Sequence, residues 1–274
     1  MTSSKITVGS TEIISLTDVE MQFPWAAFFP TVPMNELEEY HELYPGSWGD
    51  VGFKTDAGCY SVRSDGMTIL IDTGLGPGPH AMLGGATGDL VNDMRSKGVP
   101  PDDVDIVLHT HLHPDHVGWN MSGDEPTFPN ARYYAPQADW DFFKAALAAN
   151  PQMEQVIPLN DMGRLELYDG EITITPEVST LATPGHTPGH SSVLVNSDGE
   201  KLLIAGDLAH HPAQVDRPEW SAAFDMDGAQ ASATRKKMLD RLLEEGHLAA
   251  FCHFPGDGFG HIAKSGGKRV FQAL

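Results

Sequence analysis

Short apolar runs that alternate with segments of helical period place this chain in the α/β class. A second observation agrees: several of those runs stop at Gly, Asp or His, which puts chemistry-bearing residues at strand ends. The third is scale. At 274 residues, 41% hydrophobic and 20% charged, the chain can build one large core, and neither a second domain nor disorder is indicated.

The elements follow in order. Lys5 to Val8 and Glu12 to Thr17 read as opening strands, and Phe23-Pro24-Trp25-Ala26-Ala27-Phe28-Phe29-Pro30 as an irregular aromatic segment. Residues 1–50 are therefore expected to form a strand and an aromatic lid on a single domain spanning 1–274. Asn35-Glu36-Leu37-Glu38-Glu39 is a solvated helix face. Ser64-Asp65-Gly66 between Ser61-Val62-Arg63 and Met67 to Ile71 is a hairpin signal, because Asp-Gly accepts the positive φ of tight turns. Helical period appears at Leu90 to Lys97, Ala138 to Ala149 and Ala231 to Glu245, the last stopped by Gly246. Strands are expected at Ile106 to Leu108, Arg132 to Tyr134, Glu171 to Thr175, Ser192 to Val195 and Leu202 to Ile204.

Thr110-His111-Leu112-His113-Pro114-Asp115-His116 packs three imidazoles and a carboxylate into six residues, a density that points to metal ligation. His111 and His113, two apart, project to one side of an extended segment, and Asp115 and His116 follow on a turn that can face a second ion. His186 sits in the Pro/Gly turn Thr183-Pro184-Gly185-His186-Thr187-Pro188-Gly189-His190 and is the natural third nitrogen for the first ion. Asp207 ends the apolar run Leu202-Leu203-Ile204-Ala205-Gly206 and can bridge, while His253 ends Leu248-Ala249-Ala250-Phe251-Cys252 and completes the second set. His/Asp ligation without thiolate favours a catalytic site over a structural one.

The HxHxDH run followed by His, Asp and His at strand ends resembles the metallo-β-lactamase superfamily, and Ile69-Leu70-Ile71-Asp72-Thr73-Gly74 resembles its strand and turn ahead of the metal motif. Gly206-Asp207-Leu208-Ala209-His210, Arg235-Lys236-Lys237, His253-Phe254-Pro255 and Gly260-His261-Ile262 look most like the methyl parathion hydrolase and lactonase group. Trp119 departs from the pattern, since many relatives carry a second glycine after Gly118. The resemblance implies a four-layer αββα sandwich with His111, His113 and His186 on one metal, Asp115, His116 and His253 on the other, and Asp207 bridging. It also implies Asp72 as a support beneath a ligand histidine, and His190, near the ligands in sequence, is expected to orient them or touch substrate. Trp25, Phe28 and Phe29, with Trp119, His210 and His261, are expected to wall an apolar substrate cleft.

The implied activity is hydrolysis of an ester, lactone or phosphotriester by a metal-bound hydroxide, with Asp115 passing a proton to the leaving group and Asp207 joining the ions. Two divalent ions are expected, zinc first, with Fe, Mn, Co or Ni as alternatives. Other readings are a mononuclear iron oxygenase akin to the superfamily's persulfide dioxygenases, and a catalytically idle metal-binding scaffold. Glyoxalase-type thioesterases are disfavoured because only Phe254 to Leu274 follow the last ligand, and diiron flavoprotein reductases because His113 stands where they carry glutamate. A formal charge of −21 opposes nucleic acid and anionic membranes, so the expected partner is a small neutral, apolar molecule, with a homodimer allowed. Two cysteines are too few for a disulfide framework, and neither a leader nor a stretch of roughly 20 apolar residues is seen, so a cytoplasmic protein is expected.

Overall fold

A computed structural model describes residues 4–274; residues 1–3 of the expected N-terminal segment lie outside the described residues. The first sheet begins with β1 (Lys5–Val8), β2 (Thr11–Phe23), β3 (Phe53–Ser64), β4 (Met67–Ile71) and β5 (Ile106–Leu108). A small hairpin, β6 (Met121–Ser122) with β7 (Glu125–Pro126), precedes its last members, β8 (Arg132–Pro136) and β9 (Leu165–Tyr168). The order is β1-β2-β3-β4-β5-β8-β9, antiparallel up to β4 and parallel beyond it. The second sheet contains β10 (Val178–Ala182), β11 (Ser191–Ser197), β12 (Glu200–Ile204), β13 (Leu248–Ala250), β14 (Phe259–Ser265) and β15 (Lys268–Ala273), paired in chain order with only β12 and β13 parallel.

The period-2 alternation of side chains stacks the layers. Ile69 and Ile71 of β4 join Leu202 and Ile204 of β12 in the cluster between the sheets. Leu70, between the first pair, packs outward with Leu90 and Met94 of α3 (Leu90–Ser96), and Leu203 packs outward with Met238, Leu239 and Leu242 of α7 (Gly228–Glu245). A one-residue slip would exchange these faces. The result is the αββα sandwich. α7 shows its sequence logic in full: the Asp227 side chain accepts from Gln230 N–H, Gly246 closes the helix at φ 67°, and Ala231, Arg235, Met238, Leu239 and Leu242 are the buried stripe.

Three expectations change. Glu171 to Thr175 makes only a single bridge, Thr173 to Ser179, because Pro176 stops a ladder and the chain turns there, with Val178 N–H donating to Thr175; the strand starts at Val178. The helix expected over Ala138 to Ala149 is α5 (Gln137–Lys144), followed by a separate 3-10 turn at Leu147–Ala149. The aromatic segment is short α1 (Trp25–Phe28), followed by α2 (Met34–Leu43), which carries the expected acidic face. Two further short helices are α4 (Pro114–Val117) and α6 (Ile157–Asp161).

Candidate metal centre

The parallel pairs β4/β5 and β12/β13 send their C-terminal ends to one edge of the sandwich. Asp72 follows β4, His111 to His116 follow β5, Asp207 follows β12 and His253 follows β13, while the 183–190 turn joins β10 to β11. Such carboxyl-end edges collect ligands because the strands fix the positions from which loops depart.

Two sets of ligand atoms result. His113 Nδ1 stands 3.2 Å from His111 Nε2 and 2.8 Å from His186 Nε2, so three ring nitrogens converge. In the second, His116 Nε2 and His253 Nε2 each lie 3.1 Å from Asp207 Oδ1, with Asp115 Oδ2 3.8 and 3.6 Å from them. The other Asp207 oxygen, Oδ2, is 3.0 Å from His186 Nε2 and 3.6 Å from His111 Nε2. One carboxylate therefore divides its two oxygens between the two sets.

The outward nitrogens are spoken for. His116 Nδ1 donates to Asp72, His186 Nδ1 to Asp225, and His253 Nδ1 to the Asp56 carbonyl, at 2.7–2.9 Å. Thr110 donates its hydroxyl to Asp72 and so accepts from His111 Nδ1. These acceptors fix the tautomers and leave Nε2 of all four rings facing inward with a lone pair. His116 Nε2 is buried without a hydrogen-bond partner. Converging lone pairs, an orphaned buried nitrogen and a donor set of imidazoles and the Asp207 carboxylate, joined in the second set by the Cys252 thiol, are what cations require, so these residues fit divalent metals.

The electrostatics do not follow the two sets: His186 of the first is raised, the carboxylates of Asp207 and Asp225 outweighing burial, while its companions are lowered. Burial, reinforced by neighbouring imidazoles, pushes His111 and His113 well below the ordinary histidine range. Burial acts the same way on His116, but the carboxylates of Asp207, Asp115 and Asp72 outweigh it and raise that ring. Asp207 itself is held well below the carboxylate range: burial opposes this, and His116, His253, His111 and His186 outweigh burial.

Beneath the ligands, His190 accepts the Asp207 N–H through Nε2 and donates from Nδ1 to the Thr183 carbonyl. Gly206 at φ 57° makes that approach possible, since a Cβ there would meet His190 Nε2 at 2.8 Å. Asp72 also adopts a left-handed backbone, φ 61°, which turns its carboxylate under Thr110 N–H and His116. Several residues at the site had no role assigned from the sequence. Asp225 sits in no motif; Asp139, buried on α5, accepts from Leu112 N–H, the Thr187 hydroxyl and Gly189 N–H and so ties two ligand loops together. Cys252 donates its thiol to Asp207 Oδ1, and Arg235, fully buried, pairs with Asp225 at 3.0 Å. A buried helix position was the only available hint for Asp139, whereas Arg235 stood in the Arg235-Lys236-Lys237 run of the resemblance with no role assigned to it.

Over the ligands opens a cleft of about 530 Å3, walled by Met21, Phe23, Phe28, Leu75, Leu83 and Phe224, with His210 beside Asp207 Oδ2 at 3.2 Å. Four residues expected at the cleft lie elsewhere. Trp25 and Phe29 are buried in the core, where Trp25 stacks on Phe29 and Trp48 at 4.7 and 5.3 Å; a large ring gains most from full enclosure, and α1 turns these two inward and Phe28 toward the cleft. Trp119 packs behind the first sheet and donates to Asp18. His261 pairs in register with Leu248, at the start of β13 and hence away from the end that carries His253.

The sequence profile of the metallo-beta-lactamase superfamily matches residues 57–261, and the chain belongs to that superfamily. It is a metal-dependent hydrolase by class, with His/Asp groups suited to two divalent ions. An N-acyl homoserine lactonase of Bacillus cereus is 27% identical over 216 residues, covering 71% of this chain and 80% of that protein. Among solved structures, hydrolase AbOPH of the beta lactamase superfamily matches with a TM-score of 0.88 and 26% identity over 100% of this chain and 98% of its own. AidC, a dizinc quorum-quenching lactonase in complex with a product, gives 0.83 and 25% over 98% and 96%. Among the described residues no helix is long and apolar enough to cross a membrane.

Proposed function

We propose that the chain hydrolyses neutral lactones or esters that carry an apolar acyl group, N-acyl lactones foremost, with His111, His113 and His186 holding one zinc ion, Asp115, His116 and His253 the other, and Asp207 shared. The observation that carries this reading is the split of Asp207 between two nitrogen sets at the base of an apolar cleft. Two divalent ions would supply Lewis acidity toward a carbonyl oxygen and bring the pKa of water from 15.7 to about 7, giving a nucleophile at neutral pH.

The chain's own residues do the rest. Asp115, half-buried, contacts the second set only at 3.6–3.8 Å and faces the cleft, so its carboxylate can carry a proton to the leaving alkoxide. Phe23, Phe28 and Phe224 exclude water from the acyl side and receive an alkyl chain. The charge of −21 favours a neutral substrate over polyanions. The relatives named lactonases point the same way.

The test is a hydrolysis screen of acyl lactones, aryl esters, phosphotriesters and β-lactams on protein whose metal content has been measured, with oxygen uptake followed in parallel. Two ions per chain and ring opening of acyl lactones are expected. Full activity with one ion, oxygen consumption, or turnover of phosphotriesters alone would overturn the reading.

A further inference from the structure

Trp119 breaks its family's pattern and Asp18 belongs to no motif, yet the two meet. The pairing of β2 with β3 slips between Thr17 and Glu20, where residues 18 and 19 oppose only Ala57, a bulge that re-aims the Asp18 side chain off the regular pleat. Buried there, its carboxylate accepts four N–H groups from three segments. Oδ2 takes Leu75 N–H and Gly76 N–H at 2.7 and 3.1 Å; Oδ1 takes Leu90 N–H at 2.9 Å and the Trp119 indole N–H at 2.7 Å. Asp89 N–H adds a bond to the Asp18 carbonyl at 2.9 Å.

Leu75 and Leu90 bracket a strap, residues 75–88, whose ends are brought together by Gly88 N–H donating to the Gly76 carbonyl. A Cβ on Gly88 would meet that carbonyl at 2.3 Å and Asp18 Oδ1 at 2.4 Å, so the closure needs glycine. Leu75, Pro79, Ala81 and Leu83 of the strap line the cleft together with Phe28 and Phe224, and Leu75 and Leu83 pack on Val19 and Met21 beside the bulge. Trp119 follows directly on the ligand loop: Gly118 N–H donates to Gly74 O and Trp119 N–H to Thr73 O. One carboxylate thus joins both ends of the strap to the loop that carries His111 to His116.

We propose that the strap is the wall that selects the length of the acyl chain, and that Asp18 and Trp119 are positioning residues that latch it at a fixed distance from the ligand loop. The chain-length part rests on the proposed lactone activity; the latch does not. An aspartate with four donors, one of them an indole, is a more rigid hinge than a glycine-rich loop end, because a charge-assisted bond is about twice as strong as a neutral one.

Hydrogen exchange followed on metal-loaded parent, Asp18→Asn, Trp119→Phe and the double variant tests the latch. Asp18→Asn keeps the shape and removes the charge; Trp119→Phe keeps a ring and removes the donor. The amides of Leu75, Gly76 and Leu90 should exchange about tenfold faster or more in Asp18→Asn and less so in Trp119→Phe, with β4 and β5 unchanged. The double variant should be no worse than Asp18→Asn, since the two share one bond. KM for a long-chain acyl lactone should rise about threefold or more, with kcat, metal content and short-chain kinetics retained. Unchanged exchange at the strap, or an equal KM change for short and long chains, would overturn the proposal. Should the parent open no lactone ring, the proposed function falls, and exchange together with the cleft's relative affinity for hexanol and decanol in parent and variants still decides the strap.

Discussion

Two ring-dense regions meet at adjacent residues, with the ring of His210 facing the ligand set and the ring of His211 facing the aromatics. Both regions are buried, yet their polar atoms are arranged oppositely. In the ligand set each outward nitrogen of His111, His116, His186 and His253 has an oxygen partner, and the inward nitrogens converge. In the aromatic cluster, His211 Nε2 and the indole nitrogens of Trp25 and Trp48 have no partner among the described residues, and rings surround His211 at 5.2–6.5 Å. Burial alone therefore does not distinguish a binding histidine from a packing one. Convergence does.

The largest test of that contrast is Asp207→Ala. Removing one member of a buried charged network costs about 3–5 kcal/mol, so metal affinity should fall by roughly 10²- to 10⁴-fold, with turnover falling alongside it. Elemental analysis and a chelator titration read it. Two firmly held ions and near-normal turnover would show that the convergence at Asp207 is not what binds.

Trp25→Ala should act in the opposite currency. Deleting a buried Trp costs about 3–5 kcal/mol of stability, and because Trp25 lies in the core rather than on the cleft, KM should hardly move at temperatures where the variant is folded. Denaturant midpoints against KM separate the two; a KM change without a stability loss would put Trp25 back at the substrate.

The sequence made one region legible and left the other open for a physical reason. His111 to His116 are neighbours in the chain, so spacing alone dictates which side chains can converge, and Asp207 and His253 are marked by the apolar strands that end at them. Trp25, Phe28 and Phe29 sit on one helical turn, where a change of about 100° per residue decides core or cleft, and only tertiary packing fixes that rotation. Asp18 and Asp225 were invisible because their partners lie far along the chain: Asp18 reaches residues 57 to 101 positions away and Asp225 reaches back 39 to His186. His261 misled because nearness in sequence to His253 hides a strand that runs back to the other end of the sheet.

His211 provides a pH test. Burial holds its ring neutral and lowers its pKa to about 3. An unfolded chain takes up that proton near the ordinary value of 6.5, so between pH 6.5 and 3 the unfolded state binds a proton that the folded state refuses. Stability is complete above 6.5 and falls as the pH drops through that window. At pH 4.5 the share due to His211 is about 2–3 kcal/mol at 1.36 kcal/mol per unit. His211→Asn keeps an acceptor for Ala213 N–H and should lose less stability between pH 7 and 4.5 than the parent by that amount, read from urea midpoints. Equal losses would mean that the ring is reached by water.

The smallest effect is the sharpest probe of where the two regions part. Phe28 belongs to the aromatic cluster through Phe29 and Phe53, with ring centroids 5.0 and 4.5 Å away, and to the cleft through His210 and Phe224 at 5.5 and 5.4 Å. Phe28→Leu keeps most of the apolar volume, so the stability loss should stay below about 1.5 kcal/mol. What it removes is a flat ring against a bound alkyl or aryl group, an aromatic contact of about 0.5–1.5 kcal/mol. KM for an apolar lactone should therefore rise by roughly two- to tenfold with kcat little changed, because ground state and transition state lose the same contact. Unaltered KM across short and long acyl chains would assign Phe28 wholly to the core and leave Phe23, Phe224 and the strap as the acyl-binding walls.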